Sequence, residues 1–204
     1  MAYIDINTLQ YPILDSDLRQ LFPNRSIGIE PPEGYARVEP EDNSPAVGRW
    51  QSLREGQPVL MEGKWRQQWE VYDLPLSLDD RRAEIKRDAD AIACQKRNLV
   101  VSGISPAEMA SWPIKRAEAL AYQASGNATD APNVAAEATV RGIALAALVG
   151  KVLTKAGQLA DLEAAIAGRC GAIQDAANAA LTLESESEAD AALRAIDLDA
   201  GWPV

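Results

Sequence analysis

The composition of the chain changes sharply near residue 76, and this change limits what the chain can fold into. Of the eleven aromatic residues and twelve prolines, eight of each lie before Ser77. After Ser77, alanine supplies about a quarter of the residues. Aromatic and proline enrichment favours strands and loops, whereas alanine has the highest helix propensity. We therefore predict an α+β, mainly α protein with a β-rich domain over residues 1–76 and a helical domain over residues 77–204.

Charge and hydropathy exclude two classes of partner. The net charge of the 204-residue chain is −10, with 20 Lys and Arg against 30 Asp and Glu. Nucleic acids and anionic membranes are bound by clusters of basic side chains, which this balance does not favour. The most apolar run, residues 143–149, is far shorter than the roughly twenty residues that cross a bilayer. We expect no nucleic-acid partner, no membrane association and no targeting segment at the N-terminus.

The inventory of reactive side chains is small. The chain contains no histidine, which removes His-based acid–base catalysis and Ser–His or Cys–His nucleophiles. Cys94 and Cys170 lack metal-binding spacing and are expected to be reduced, buried thiols. Acidic pairs such as Asp79 and Asp80 fit solvated helix faces, and no glycine-rich phosphate-binding motif occurs. We expect no catalytic residue, cofactor or metal; a hydrolase acting through Lys, Asp or Glu is the alternative from another class.

Three strand-like runs form the clearest local pattern. They cover residues 48–54, 57–61 and 64–72, with Glu-Gly pairs at 55–56 and 62–63 between them. Glycine supplies the positive φ that tight hairpin turns require. The pattern predicts a small three-stranded antiparallel β-meander. In the third run, side chains alternate between an apolar, aromatic face and a charged face.

Tryptophan is the best candidate for a binding residue in this meander. A small sheet has little else to bury, and tryptophan is enriched at the centre of protein interfaces. The tryptophans could equally form the core of the N-terminal domain, and the sequence leaves both possibilities open. The candidate partner-binding residues are Trp50, Trp65, Trp69 and Val71.

Capping signals place the helices of the second domain. Ser77, followed by two acids, predicts a helix over residues 78–101. Ser105-Pro106 predicts a second helix that runs to about Ala124; Pro113 lies inside it, so a kink or an earlier start is possible. A third helical region opens near residues 129–132. Residues 187–190 could cap a short final helix, after which the end of the chain is loose unless Trp202 docks.

Residues 134–183 show a further, seven-residue regularity typical of a bundle of long helices. Apolar residues recur every seven positions and again four positions later, with Glu163 as an exception. Three interpretations stay open: packing within the chain, a self-associating coiled coil that would form a homo-oligomer through residues 145–180, or a break near Gly157 or Gly168. The seven-residue series is Leu145, Val152, Leu159, Ile166, Ile173 and Ala180.

Several motifs, in this order, resemble the tail-fibre assembly and tail-fibre-associated proteins of tailed bacteriophages. The N-terminal motifs are residues 10–13 (Gln-Tyr-Pro-Ile), 17–19 (Asp-Leu-Arg), 22–24 (Phe-Pro-Asn), Ser26 and the run 31–38. The hairpin motif covers residues 56–60 and 63–71. The helical motifs are residues 104–115, 118–119 and 129–132.

The resemblance implies a non-enzymatic structural protein of the phage tail, associated with the tail fibre or the baseplate. On this reading the protein assembles in the host cytoplasm and resides in the virion tail. The alternative is a tail-fibre assembly chaperone that leaves before the virion is complete. The family has no catalytic residues, and the implied partners are tail-fibre or baseplate proteins.

Overall fold

The computed structural model describes residues 1–25 and 30–203. Ser26, one of the residues of the tail-fibre resemblance, and Val204 lie outside the described residues. The chain forms two compact units, Met1–Leu76 and Ser77–Val204. This division falls where the composition of the sequence changes. An N-terminal sheet followed by helices confirms the α+β, mainly α class.

The N-terminal unit is built on a five-stranded sheet with one short helix. The strands are β1 (Ala2–Asp5), β2 (Ile13–Leu14), β3 (Tyr35–Glu39), β4 (Gln51–Met61) and β5 (Lys64–Asp73), in the order β2-β1-β3-β5-β4. All neighbouring pairs are antiparallel except β3 and β5, which run parallel. Helix α1 (Asp15–Leu21) packs Leu18 against Tyr3 and Ile13. A small apolar core therefore lies at the β1–β2 end of the sheet.

The region predicted as a three-stranded meander is a long two-stranded hairpin. The turn at Glu62-Gly63 is confirmed: both residues have positive φ, 52° and 78°, as a tight two-residue hairpin turn requires. The turn predicted at Glu55-Gly56 is wrong, because β4 continues through it. Gly56 pairs with Gln68 in register, and the ladder is irregular only between Gly56 and Val59. A bulge keeps the strand paired over its whole length instead of reversing it.

The C-terminal unit consists of helices whose starts largely follow the sequence signals. Ser77 and Ser105 accept hydrogen bonds from the backbone N–H groups of Asp80 and Glu108, both 3.1 Å long. The final helix is capped by Ser185 rather than Ser187. The elements are α2 (Leu78–Val100), α3 (Pro106–Ser125, continuous through Pro113), a 3₁₀ turn (Ala128–Asp130), α4 (Pro132–Val140), α5 (Leu145–Ala180) and α6 (Glu186–Arg194).

Helix α5 is the central element of this unit. It is 36 residues long and continuous, so of the three open interpretations the break near Gly157 or Gly168 is wrong. The chain turns instead at Gly142, whose φ is 63°. Helix α2 runs antiparallel to its C-terminal half, since Arg97 bonds Glu163 and Asp90 bonds Gln174. Helix α3 contacts α5 as well.

Two separate cores form along α5. Around its N-terminal half, residues of α3, α4 and α5 make one buried cluster: Ala119, Ala131, Val134, Ala138, Leu148 and Val149. Its C-terminal half packs against α2 and α6, and the buried residues there include Ile85, Ala89, Ile166, Ile173, Ala177 and Leu193. Between the two cores, residues 157–161 are all exposed.

The seven-residue repeat on α5 is mainly a stripe that packs within the chain. Ile166 and Ile173 are buried beneath α2 and α6, whereas Leu159 is 36% exposed. The stripe's largest buried residues are therefore already covered by the same chain. The end of the chain also docks: Trp202 is buried, and its indole N–H donates to the carbonyl of Leu198 at 2.7 Å.

Candidate functional site

The four predicted binding residues occupy two different environments. Trp65, Trp69 and Val71 lie on one side of β5, which we call the tryptophan face. Trp50 precedes β4, is only 4% exposed, and has the guanidinium of Arg49 at 5.5 Å from its ring centre. Its ring is closed off from solvent. This corrects the prediction that placed Trp50 among the docking residues: burial makes it part of the N-terminal core.

Trp65 lies between a buried and an exposed neighbour on the tryptophan face. In register it is flanked by Val38 of β3, which is buried, and by Leu60 of β4. Leu60 is 59% exposed, and Val59 and Met61 beside it are exposed too. Directly paired residues of neighbouring strands have side chains on the same face. Residues 59–65 therefore form an apolar hairpin tip that is only partly covered by its own chain.

Trp69 is partly covered by the segment that follows β3. Its indole N–H donates to the carbonyl oxygen of Glu41 at 3.2 Å. This contact is not predictable from local sequence, because the acidic, proline-bearing residues 39–45 indicate only a linker. The segment is mostly exposed, but Glu41 fixes it against the sheet. Trp69 is consequently half-buried and less available than the hairpin tip.

A polar cluster separates the two tryptophans. Gln67 is buried on this face and donates to Oε1 of Glu55 at 3.0 Å, while the hydroxyl of Tyr11 donates to Oε2 at 3.0 Å. Burial, together with the hydrogen bond to Glu55, raises the pKa of Tyr11 to about 12. The phenol therefore keeps its proton and holds the residue 11 segment against β4. Neither Tyr11 nor Glu55 was found from sequence, because their partners are distant along the chain.

The opposite face of the hairpin carries paired charges, as the alternation predicts. Arg54 makes two hydrogen bonds to the carboxylate of Glu70, 2.9 and 3.0 Å long, and its guanidinium lies 5.4 Å from the ring centre of Tyr72. Lys64 reaches Glu39 of β3 at 2.7 Å. These contacts lower the pKa of Glu70 and that of Glu39. Most charged side chains on this face are thus paired with each other, whereas the hairpin tip exposes apolar side chains.

The two cysteines and one open cleft are the features of the helical unit that bear on reactivity or ligand binding. Cys170 is buried, and burial together with the Asp90 carboxylate raises the pKa of its thiol. Cys94 is exposed, so the prediction that both thiols are buried is wrong for Cys94. An open cleft of about 200 Å³ lies where α2 ends against α5, and the Arg97–Glu163 pair forms part of its lining.

Within residues 1–25 and 30–203, no group of three or more His, Cys, Asp or Glu side chains could hold a metal ion. Among the same residues, no single helix has the length and apolar composition to cross a membrane. Helices α4 and α5 meet those criteria only as a pair, and they are bent by 113°.

Comparison with family models, with curated proteins and with solved structures finds no match to this chain.

Proposed function

We propose that this chain is a non-enzymatic tail protein of a bacteriophage that binds a tail-fibre or baseplate partner through the hairpin tip. The motif order described above supports the phage-tail assignment by resemblance. The observation that carries the binding site is the pairing of half-buried Trp65 with Leu60, which is 59% exposed. Interface centres are enriched in aromatic residues and are more apolar than the surrounding surface, which agrees with a tryptophan beside exposed apolar area.

The tip is also held in one shape before any partner arrives. The Glu62-Gly63 turn fixes the end of the hairpin, and ion pairs on the opposite face tie β5 to β3 and β4. A surface that is already ordered loses less conformational entropy on binding. The tip is therefore suited to dock its tryptophan face, with Trp65 and Leu60, against a partner as a rigid surface.

The direct test is binding of the purified chain to the tail-fibre and baseplate proteins of the phage that carries it, measured by calorimetry or surface plasmon resonance. Leu60→Glu should weaken binding roughly thirtyfold or more, the effect of losing about 2 kcal/mol at an interface centre. Val59→Glu is the matched control, since Val59 is the adjacent exposed residue and points to the opposite face.

Equal loss in both variants would contradict docking by the tryptophan face, and no loss in either would contradict the tip as the site. The presence of the chain in purified virions at fixed stoichiometry decides between a resident tail component and a protein released during assembly. Turnover of host polysaccharide that disappears with one carboxylate substitution would contradict the non-enzymatic assignment.

A further inference from the structure

The two faces of the hairpin differ in how their carboxylates are neutralised. Glu70 and Glu39, on the face opposite the tryptophans, are each paired with a cationic side chain. Glu55 lies on the tryptophan face and takes its hydrogen bonds from neutral donors instead, the amide of Gln67 and the hydroxyl of Tyr11. Across the described ranges 1–25 and 30–203, no Lys or Arg lies within ion-pair distance of Glu55. Its negative charge is therefore not balanced by its own chain.

Glu55 also lies beside two aromatic side chains. It is directly opposite Trp69 in the β4–β5 ladder, and residues paired in this way have Cβ atoms about 4.5–5.5 Å apart on one face. The phenol of Tyr11 is 3.0 Å from its carboxylate. Glu55 is exposed, and a carboxylate offers about four acceptor positions. It can therefore accept hydrogen bonds from another molecule while it keeps those from Tyr11 and Gln67.

The segment after β3 brings two more carboxylates to Trp69. The indole N–H of Trp69 donates to the backbone carbonyl of Glu41, which holds residues 41 and 42 beside the ring. The carboxylate of Glu41 accepts a hydrogen bond from the backbone N–H of Asn43, also a neutral donor, and Asp42 is exposed. Neither carboxylate forms an ion pair within the part of the chain that the structure describes. Trp69 thus has unbalanced negative charge on its β3 side and on its β4 side.

We propose that Trp69, Tyr11 and Glu55 bind an arginine side chain of the partner that docks on the hairpin tip, an inference that rests on the proposed function. A guanidinium is planar and always charged, stacks on aromatic rings, and forms paired hydrogen bonds with a carboxylate. Aromatic rings beside unbalanced carboxylates match both properties. Trp65 and Leu60 then supply the apolar contact with the partner, and the charge beside Trp69 selects a partner with a basic surface.

Titration of the isotope-labelled full chain with the peptide acetyl-Gly-Arg-Gly-amide, followed by NMR through the indole N–H signals, tests this site. The signal of Trp69, assigned with the variant Trp69→Phe, should shift and saturate. The same peptide with citrulline, a neutral isostere of arginine, should cause no shift. Added salt should weaken the arginine response, because the attraction involves exposed charges.

Two isosteric substitutions separate the Glu55 carboxylate from the general negative charge of the hairpin. Glu55→Gln should weaken binding of the arginine peptide roughly fivefold, the effect of losing one well-placed exposed ion pair. Glu70→Gln is the matched control: it removes the same charge from the next position along β5 after Trp69, but on the opposite face, where Arg54 already pairs with it. Glu70→Gln should bind the peptide like the native chain.

An unchanged Trp69 signal, an equal response to the citrulline peptide, or equal weakening by Glu55→Gln and Glu70→Gln overturns the proposal. If circular dichroism shows that Glu55→Gln does not fold, Asp42→Asn takes its place, because it removes an exposed carboxylate without touching the Glu55 hydrogen bonds; unchanged peptide binding then overturns the proposal. Partner binding that is lost with Leu60→Glu but unchanged by Glu55→Gln overturns arginine recognition alone. Partner binding unaffected by Leu60→Glu contradicts the proposed function, and the peptide titration still decides the arginine site.

Discussion

Two positions on α5 separate packing within the chain from packing between chains. Ile166 and Leu159 are seven residues apart on the same stripe, but Ile166 is 1% exposed and Leu159 is 36% exposed. Truncating a fully buried isoleucine to alanine costs about 2–5 kcal/mol, through lost burial and the cavity left behind. We expect Ile166→Ala to lower the free energy of unfolding by about 3 kcal/mol, and Leu159→Ala by about 1 kcal/mol because water already reaches it.

Thermal and urea unfolding, followed by far-ultraviolet circular dichroism, measures this difference, since the signal comes mainly from the helical unit. One kcal/mol corresponds to about 4 °C for a unit of this size, so the melting temperatures should fall by about 12 and 4 °C. Sedimentation of both variants should match that of the native chain. Equal, small losses of stability combined with a fall in assembled mass would refute the reasoning. That result would mean that Ile166 packs against another chain, as in the coiled-coil alternative.

Two further predictions concern the partly buried ion pair of Asp190 with Arg81 and the hairpin turn. Burial acts to raise the pKa of Asp190, but hydrogen bonds from Arg194 and Arg81 outweigh it and hold that pKa below its ordinary value. The stabilisation by this ion pair is therefore present above about pH 4 and is lost as the pH falls through the folded pKa. Asp190→Asn should lower the free energy of unfolding by about 2 kcal/mol at neutral pH, and by less in acid. Urea titrations of both proteins at several pH values measure this difference. Glu62→Asn should stabilise the N-terminal unit by roughly 0.5 kcal/mol, because asparagine adopts φ of 52° more readily than glutamate; an unchanged or lower urea midpoint would contradict this.

The hairpin shows what local sequence can and cannot determine. The same dipeptide, Glu-Gly, occurs at 55–56 and at 62–63, and only the second is a turn. The difference lies in the strands around it. Reversal at 62–63 alone lets eleven residues of β4 face ten of β5, whereas two reversals would leave three short strands. Pairing length is a property of the whole hairpin and cannot be read from either dipeptide.

The helices were more predictable because their signals are local. Ser77 and Ser105 marked two starts correctly, since an N-cap needs only its own first turn. Glycines were less informative: Gly142 ends a helix, but Gly157 and Gly168 lie inside α5. Gly142 is followed by Ile143, which packs on the core made with α3 and α4. That core is formed by residues distant in sequence, so it could not be anticipated.

The candidate binding site was predicted in part. Alternation along β5 placed Trp65, Trp69 and Val71 on one face correctly. It could not show that Trp50 is buried or that Glu41 covers part of Trp69, because both depend on how loops fold back on the sheet. Leu60 was missed as the exposed partner of Trp65: the turn at 62–63 pairs the two residues, but the exposure of Leu60 depends on which segments cover the sheet.

Helix α5 supplies residues to two cores, and residues 157–161 between them are solvent-exposed. The two cores are therefore joined by α5 itself and by the 101–105 connection between α2 and α3, and the distance between them is set by the number of helical turns. Seven residues added to α5 there, with a matching extension of the 101–105 connection, would increase the distance between the cores by about 10 Å. The insertion would nearly preserve which face of α5 points into each core. The length of the helical unit can thus change in steps of seven residues without altering the packing of either core.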